Sequence, residues 1–176
     1  MKQIKDEIEK VFFNSFNETC KFLKIDNDVA FLEDSFTGIV RTRTTAELCS
    51  VMVKLQKLNK KNCKDEIKKI VNWLIIKQNK DGSWNETHVN YDNPSSVFTA
   101  ICGLTLFEAY KENLDIKIPK KVLNDAANFL IKQEIKEGHF KKSEHYHADV
   151  LNADAMVSTF LINYGISNYE NLAGKT

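Results

Sequence analysis

Hydrophobic residues recur along the chain at the three- and four-residue spacing of amphipathic helices, in six successive segments. The segments come in pairs, in which a half-apolar outer helix precedes an inner helix that is apolar around most of its circumference. Outer helices are expected from about Ile4, Asp65 and Pro119, and inner helices from about Thr44, Ser96 and Asn152. No run combines strand alternation with hairpin turns, so the pattern predicts an all-α fold, and residues 25–40 read as a long loop.

One short stretch marks the end of the second outer helix. Residues 78–84 read Q-x-x-x-G-x-W, and a weaker copy follows after the third outer helix, with Gly138 and Phe140 at the positions of Gly82 and Trp84. The inner helices repeat at nearly the same interval, as judged from Leu55, Tyr110 and Tyr164. Periodicity on this scale indicates structural units that stack on their neighbours. We predict one repeat domain over residues 1–176, with repeats at about 4–58, 64–111 and 119–165.

The residue types in this stretch have structural roles. Gln78 can cap the last carbonyl groups of the outer helix, and Gly82 permits a turn with positive φ. Trp84 is expected to be buried, where it closes the end of the helical hairpin. The motif, which comprises Gln78, Gly82, Trp84, Gly138 and Phe140, therefore predicts architecture and not chemistry.

A Q-x-x-x-G-x-W turn between outer and inner helices resembles the QW-type repeat of the α/α-toroid superfamily. That superfamily includes squalene–hopene cyclases, other class II terpene cyclases and the β-subunits of protein prenyltransferases. The resemblance implies three outer–inner helical hairpins that form half of an α/α toroid. It also implies a concave face able to bind an isoprenoid or another apolar ligand, or a second copy of the chain that completes the ring.

The catalytic signatures of that superfamily are absent from the sequence. There is no D-x-D-D acid motif, no C-H-G zinc signature, and no cysteine close to the histidine-rich segment. We therefore expect a toroid module that binds and assembles without cyclase chemistry. The alternative is an enzyme whose site is completed by a dimer or by a second half, either an isoprenoid-processing enzyme or a carbohydrate-active α/α-barrel enzyme. The sequence leaves open whether the chain is catalytic.

Composition narrows the partners and the compartment. The net charge is +1, from 25 basic and 24 acidic residues, so no overall field attracts nucleic acid. The four cysteines include no C-x-x-C pair, no apolar run is long enough to span a membrane, and the N-terminus lacks the apolar core of a signal peptide. These features predict a cytoplasmic protein with reduced thiols.

The junctions that lead into the inner helices are candidates for a binding rim. Arg41 and Arg43 are the only arginines, and with Thr44 they precede or begin a helix, which suits a diphosphate or carboxylate. The alternative is that the arginines form ion pairs with Asp34 or Glu33 and hold the long loop. Glu47 follows Thr44 by three residues, as in a capping box.

Further candidates lie on the inner helices and in the third loop. Glu47 and Asp154 would favour sugar chemistry if they formed a carboxylate pair on the concave face. Phe98 belongs to a set of inner-helix aromatic residues that could line an apolar cavity or pack in the core. His145, His147 and Asp149 have ligand types and spacing that could hold zinc, although a solvated polar loop is the favoured explanation, and no other cofactor is expected.

Overall fold

The helices lie in the segments that the hydrophobic periodicity indicates. The structure is a computed structural model that describes residues 2–88, 90–143 and 146–165, with side chains described for residues 4–88, 90, 92–143 and 150–165. The helices of these segments are α1 (Lys2–Cys20), α2 (Thr42–Lys57), α3 (Lys64–Lys77), α4 (Ser96–Lys111), α5 (Lys120–Lys132) and α6 (Leu151–Tyr164).

The prediction of an all-α fold is wrong, because antiparallel strands form the connections from outer to inner helices. One sheet pairs β1 (Leu23–Asp26) with β2 (Val29–Leu32), and it extends from just before the segment read as a loop into that segment. The other contains β3 (Trp84–His88), β4 (Tyr91–Ser95), β5 (Glu134–Lys136), β6 (His139–Ser143) and β7 (Tyr146–Asp149). Its strands neighbour one another in the order β3-β4-β6-β5, and β7 also pairs with β6. The fold is mixed α/β, and the description as half of an all-helical toroid is wrong with it.

The strands escaped prediction because they carry little hydrophobic alternation. Only Trp84 of β3 is buried, and the residues that follow it are polar and half-buried or exposed. In β1, one residue is half-buried and three are exposed. Short strands that cover the ends of helices need only one anchoring side chain, so backbone hydrogen bonds rather than a hydrophobic face define them.

The inner helices form a continuous row, since α2 packs against α4 and α4 against α6. Among the helices, each later outer helix packs chiefly on the inner helix of the preceding hairpin: α3 lies on α2, and also on β2, and α5 lies on α4. The buried faces of these two outer helices match position by position, one repeat apart. Ile67, Ile70 and Leu74 are fully buried, as are their counterparts Leu123, Ala126 and Leu130.

The Q-x-x-x-G-x-W segment forms the turn between α3 and β3. Gly82 has φ of +93°, which confirms the predicted positive φ, and Trp84 is fully buried, as predicted. The indole Nε1 donates to the carbonyl of Leu74 at 2.8 Å, so Trp84 caps a carbonyl in the last turn of α3. The prediction that Gln78 does this was wrong. Gln78 Nε2 instead donates to the carbonyls of Gly82, at 3.0 Å, and of Val122 on α5, at 2.8 Å, and thereby ties the turn to the next hairpin.

The second copy of the turn keeps the packing and loses the indole bond. Gly138 has φ of +73°, and Phe140 is fully buried at the position of Trp84. Phenylalanine has no N–H group in its side chain, so it supplies apolar volume alone. In both copies the backbone N–H of the aromatic residue donates to a side chain near the start of the next inner helix, Thr99 Oγ1 at 3.0 Å and Asp154 Oδ1 at 2.7 Å. Among the described residues, no helix is long and apolar enough to cross a membrane.

Candidate functional site

A hydrogen-bonded turn between β2 and α2 positions the first part of the site. Glu33 and Val40 form an isolated antiparallel β-bridge through their backbones. The backbone N–H groups of Phe36 and Thr37 both donate to Asp34 Oδ1 at 3.0 Å. The amide of Gly38 donates to the Asp34 carbonyl at 2.8 Å, which closes the turn. As a result, the phenyl ring of Phe36 stands at the tip of an ordered turn with 98 % of its surface exposed.

Asp34 also binds Arg41, the ion pair that the sequence left open as an alternative. Arg41 Nη2 donates to Asp34 Oδ2 at 2.8 Å. This guanidinium, helped by the amides of Thr37 and Phe36, holds the pKa of Asp34 well below its usual range. Asp34 is therefore an ionised hydrogen-bond acceptor at any physiological pH, and it has no proton to donate.

The first turn of α2 forms the second part of the site. The helix begins at Thr42 after Arg41 at the N-cap position, and no side chain caps it. The predicted capping box of Thr44 and Glu47 is wrong, because Glu47 Oε1 instead accepts from Arg43 Nε at 2.8 Å along the exposed face of the helix. This ion pair joins residues four apart, a spacing that brings side chains together on one helix face.

The turn and the helix border an open, solvent-facing cavity of about 590 Å³, called here the Phe36 cavity. Three phenylalanines contribute to its wall: Phe22 from the segment after α1, Phe36 from the turn and Phe98 from the first turn of α4. Phe36 and Phe22 are exposed, and Phe98 is half-buried. Ser35 and four threonines also line it: Thr19, Thr42, Thr44 and Thr87.

Each arginine of the Phe36 cavity is paired with a carboxylate. Its wall contains two carboxyl groups, Glu33 and Asp34, and two guanidinium groups, Arg41 and Arg43. Arg41 is matched to Asp34, and Arg43 is matched to Glu47 beside the cavity. The site thus presents hydrogen-bond donors and acceptors at close range without a net positive field.

A second cavity of about 420 Å³, called here the Asp92 cavity, borders the first. Thr42 and Thr87 line both cavities, and Thr87 Oγ1 donates to the carbonyl of Val40 at 2.8 Å within the shared wall. The polar side chains that line the Asp92 cavity are Lys77, Asn79, Asn85, His88 and Asp92. The two cavities together extend the site from the Phe36 turn across β3 to the β3–β4 hairpin.

The structure brings together most of the predicted rim residues. Arg41, Arg43, Thr44 and Phe98 line the Phe36 cavity, and Glu47 lies at its edge through Arg43. Asp154 lies elsewhere, where its carboxylate accepts from the amide of Phe140 and lies 3.2 Å from His139 Nδ1. Glu47 and Asp154 thus have separate partners, and the contacts of the structure do not join them as a carboxylate pair.

The proposed zinc ligands fall outside what the structure describes. His145 and the side chains of His147 and Asp149 lie outside the described residues. Within the described part of the chain, no group of three His, Cys, Asp or Glu residues could hold a metal ion. The four cysteines are free thiols, and burial raises the pKa values of Cys49 and Cys102.

Sequence reasoning missed Phe22 and Phe36 as parts of the site. The available signal was Phe36 itself, because a large aromatic residue between Asp34-Ser35 and Thr37-Gly38 sits in the middle of a turn signal. A large apolar side chain among polar turn residues is expected to face solvent, where a ligand can reach it.

Comparison with known proteins identifies a fold and no close relative. No protein-family model matches the sequence, and no curated protein matches it. Among solved structures, the chain is similar to a protein from Salmonella enterica serovar Paratyphi A described as a possible member of the GH105 family, with a TM-score of 0.66 and 14 % identity. The match covers 89 % of this chain and 48 % of that one, so the chain spans about half the length of the similar protein.

The similarity to the possible GH105 protein overturns the resemblance to terpene cyclases and prenyltransferase β-subunits. The Q-x-x-x-G-x-W turn misled because Gln78, Gly82 and Trp84 have structural roles in packing and hydrogen bonding the hairpins. Such a turn carries no information on substrate. At 14 % identity the similarity shows the fold alone, a fold shared with a possible member of the GH105 family.

Proposed function

We propose that the Phe36 cavity binds a neutral saccharide and that the chain serves a carbohydrate-active protein or assembly. The observation that carries the proposal is the combination of an exposed phenyl ring on an ordered turn with two charge-matched arginine–carboxylate pairs. Sugar rings present apolar C–H faces and a rim of hydroxyl groups. A flat aromatic surface beside fixed donors and acceptors complements both features.

The charge pairing favours a neutral ligand over a diphosphate or a carboxylate. An anion at Arg41 would compete with Asp34, whose ionised form is held in place by that guanidinium and two backbone amides. A hydroxyl group can instead donate to a carboxylate and accept from a guanidinium of the same pair. This balance also weighs against the isoprenoid diphosphate expected from the two arginines alone.

The site is better equipped for binding than for hydrolysis. Glycoside hydrolysis generally uses one protonated and one ionised carboxyl group on either side of the scissile bond. Asp34 cannot supply the proton, because Arg41 keeps its pKa low. The description of the similar protein as a possible GH105 member, a glycoside hydrolase family, supports a carbohydrate ligand, and the geometry favours the binding part of that activity for this chain.

Calorimetric titration of neutral oligosaccharides, matched carboxylated oligosaccharides and farnesyl diphosphate tests the proposal. We expect at least one neutral oligosaccharide to bind more tightly than its carboxylated counterpart and than the diphosphate. Phe36→Ala should weaken that binding by about tenfold, the loss of one aromatic stacking contact. Leu58→Ala, at the exposed far end of α2, is the matched control and should leave it unchanged. Binding of the diphosphate alone, or equal affinities in wild type and Phe36→Ala, would overturn the proposal.

A further inference from the structure

The first helix carries apolar residues on two faces, and the fold uses only one of them. One face places Phe13 and Phe16 against the protein, with Lys61 Nζ 4.7 Å from the centroid of the Phe16 ring. The other face presents Ile8 and Val11 to solvent, 65 % and 64 % exposed, together with the exposed ring of Phe12. The apolar surface of α1 therefore extends beyond the face that its own chain covers, which is typical of a helix that a further surface covers.

The exposed face of α1 has the spacing of the faces that α3 and α5 bury. Ile8, Val11 and Phe12 stand at positions i, i+3 and i+4. On α3 the same spacing belongs to Ile67, Ile70 and Val71, which are fully buried. Because α3 packs on α2 and α5 packs on α4, an outer helix lies on the inner helix of the preceding hairpin. By that rule α1 lacks its inner helix within the described residues.

The last inner helix has the opposite deficiency. Ala155 of α6 lies one repeat after Ala100 of α4, and Ala100 is fully buried whereas Ala155 is exposed. Leu151 likewise corresponds to the buried Ser96 and is 81 % exposed. The helix α4 has the outer helix α5 packed on it and the inner helix α6 beside it. Within the described part of the chain, α6 has no following outer helix.

We propose that a second copy of this chain covers both surfaces, so that α1 of each copy packs on α6 of the other. The two surfaces are the two halves of one interface that the chain already makes internally, between α3 and α2 and between α5 and α4. A chain with both halves is complementary to itself, and such head-to-tail contacts close into a ring when the rotation permits. Two copies would supply about the length of the similar protein, of which one copy spans 48 %.

The dimer would also bear on the Phe36 cavity. The C-terminal part of α3 and the first turn of α2 line one cavity together, through Trp73, Lys77 and Thr42. An α1–α6 contact of the same geometry places the C-terminal part of α1 beside the first turn of the partner's α6. Thr19, near the end of α1, lines the Phe36 cavity. The second copy therefore borders the site, although the dimer rests on different observations from saccharide binding.

Sedimentation equilibrium of the full chain from about 1 μM to 1 mM tests the dimer directly. We expect a mass of twice the 20.3 kDa of one chain. Val11→Glu on α1 and Ala155→Glu on α6 should each raise the dimer dissociation constant by at least about 100-fold, because each places a charge in an apolar contact. Ile76→Glu, on the exposed side of α3 and outside both surfaces, is the matched control and should leave the mass unchanged.

Mixing the Val11→Glu and Ala155→Glu variants distinguishes this arrangement from a contact of α1 with α1. A mixture of Val11→Glu and Ala155→Glu retains one unaltered α1–α6 interface per pair, so dimer should reappear in the mixture although neither variant dimerises alone. A monomeric wild type at the highest concentration, or an unchanged mass for both of these variants, would overturn the proposal. Failure of the mixture to recover dimer would also overturn it. Circular dichroism and thermal unfolding of each variant confirm that a changed mass does not reflect unfolding.

Discussion

The backbone N–H of Leu32 donates to Thr45 Oγ1 at 2.9 Å, the same contact that Trp84 makes with Thr99 and Phe140 makes with Asp154. The three acceptors recur along the chain at nearly equal intervals, and each lies near the start of an inner helix. Leu32 therefore occupies in the first hairpin the position that an aromatic residue occupies in the other two. The hydrogen bond, rather than the glycine–aromatic turn, is the feature common to all three hairpins.

Replacing the hydroxyl group of Thr99, which accepts the hydrogen bond from Trp84, should lower the stability of the fold with little change in side-chain volume. Thr99→Val removes the hydroxyl group that accepts from the buried amide of Trp84, and we expect a loss of about 1–3 kcal/mol in the free energy of unfolding. Thr159→Val is the matched control, because the Thr159 hydroxyl donates to a carbonyl within its own helix at an exposed position. Urea unfolding of both variants measures the difference. Equal losses would show that the repeated bond has no special weight.

The two turn glycines should respond differently to alanine. Both have positive φ, which costs an alanine about 1–2 kcal/mol. A Cβ at Gly82 would also lie 2.2 Å from the backbone oxygen of Asp125 on α5, whereas a Cβ at Gly138 would meet open space. Gly82→Ala must therefore displace a helix and should cost about 2–4 kcal/mol in total. Thermal unfolding that ranks Gly138→Ala as the more harmful change would contradict this account of the turn.

Much of the helical framework could be anticipated from the sequence, and the sheets could not. The periodicity of Ile67, Ile70 and Leu74 survives in the structure because one helix face meets the core along its whole length. Residues of β3 read as polar because that strand covers helix ends with a single buried anchor, Trp84. The hydrophobic pattern of a short segment does not show which of its backbone groups form hydrogen bonds across a hairpin.

The candidate site was anticipated in part for similar reasons. Arg41 and Arg43 stood out as the only arginines, but the arrangement of Arg41 and Asp34 depended on a turn that the sequence left as a loop. Asp154 was a candidate site residue because a carboxylate pair with Glu47 would favour sugar chemistry. The available signal of its structural role was its position one repeat after Thr99.

The ion pair of Asp34 predicts a pH dependence of stability. Folding lowers the pKa of this carboxyl group, chiefly through Arg41, so its ionised form stabilises the folded state. The contribution is fully present above the unfolded pKa of about 3.9 and is lost as the pH falls through the lowered value. Asp34→Asn should therefore be less stable than wild type at pH 7, with the difference shrinking toward pH 2 in urea unfolding. Arg41→Gln should reproduce this profile, and a difference that grows on acidification would contradict the assignment.

The most direct test of the proposed binding site is a heteronuclear NMR titration of the labelled chain with the neutral oligosaccharide that binds best. We predict chemical-shift changes concentrated at the backbone amides of Ser35 and Phe36, residues 42–44 and Phe98, which border the Phe36 cavity. The smaller cavity between α2 and α4 at the opposite ends of these helices, lined by Val53, Leu104 and Glu112, should show none. Shifts centred on that second region, or no shifts at saturating oligosaccharide, would contradict the account.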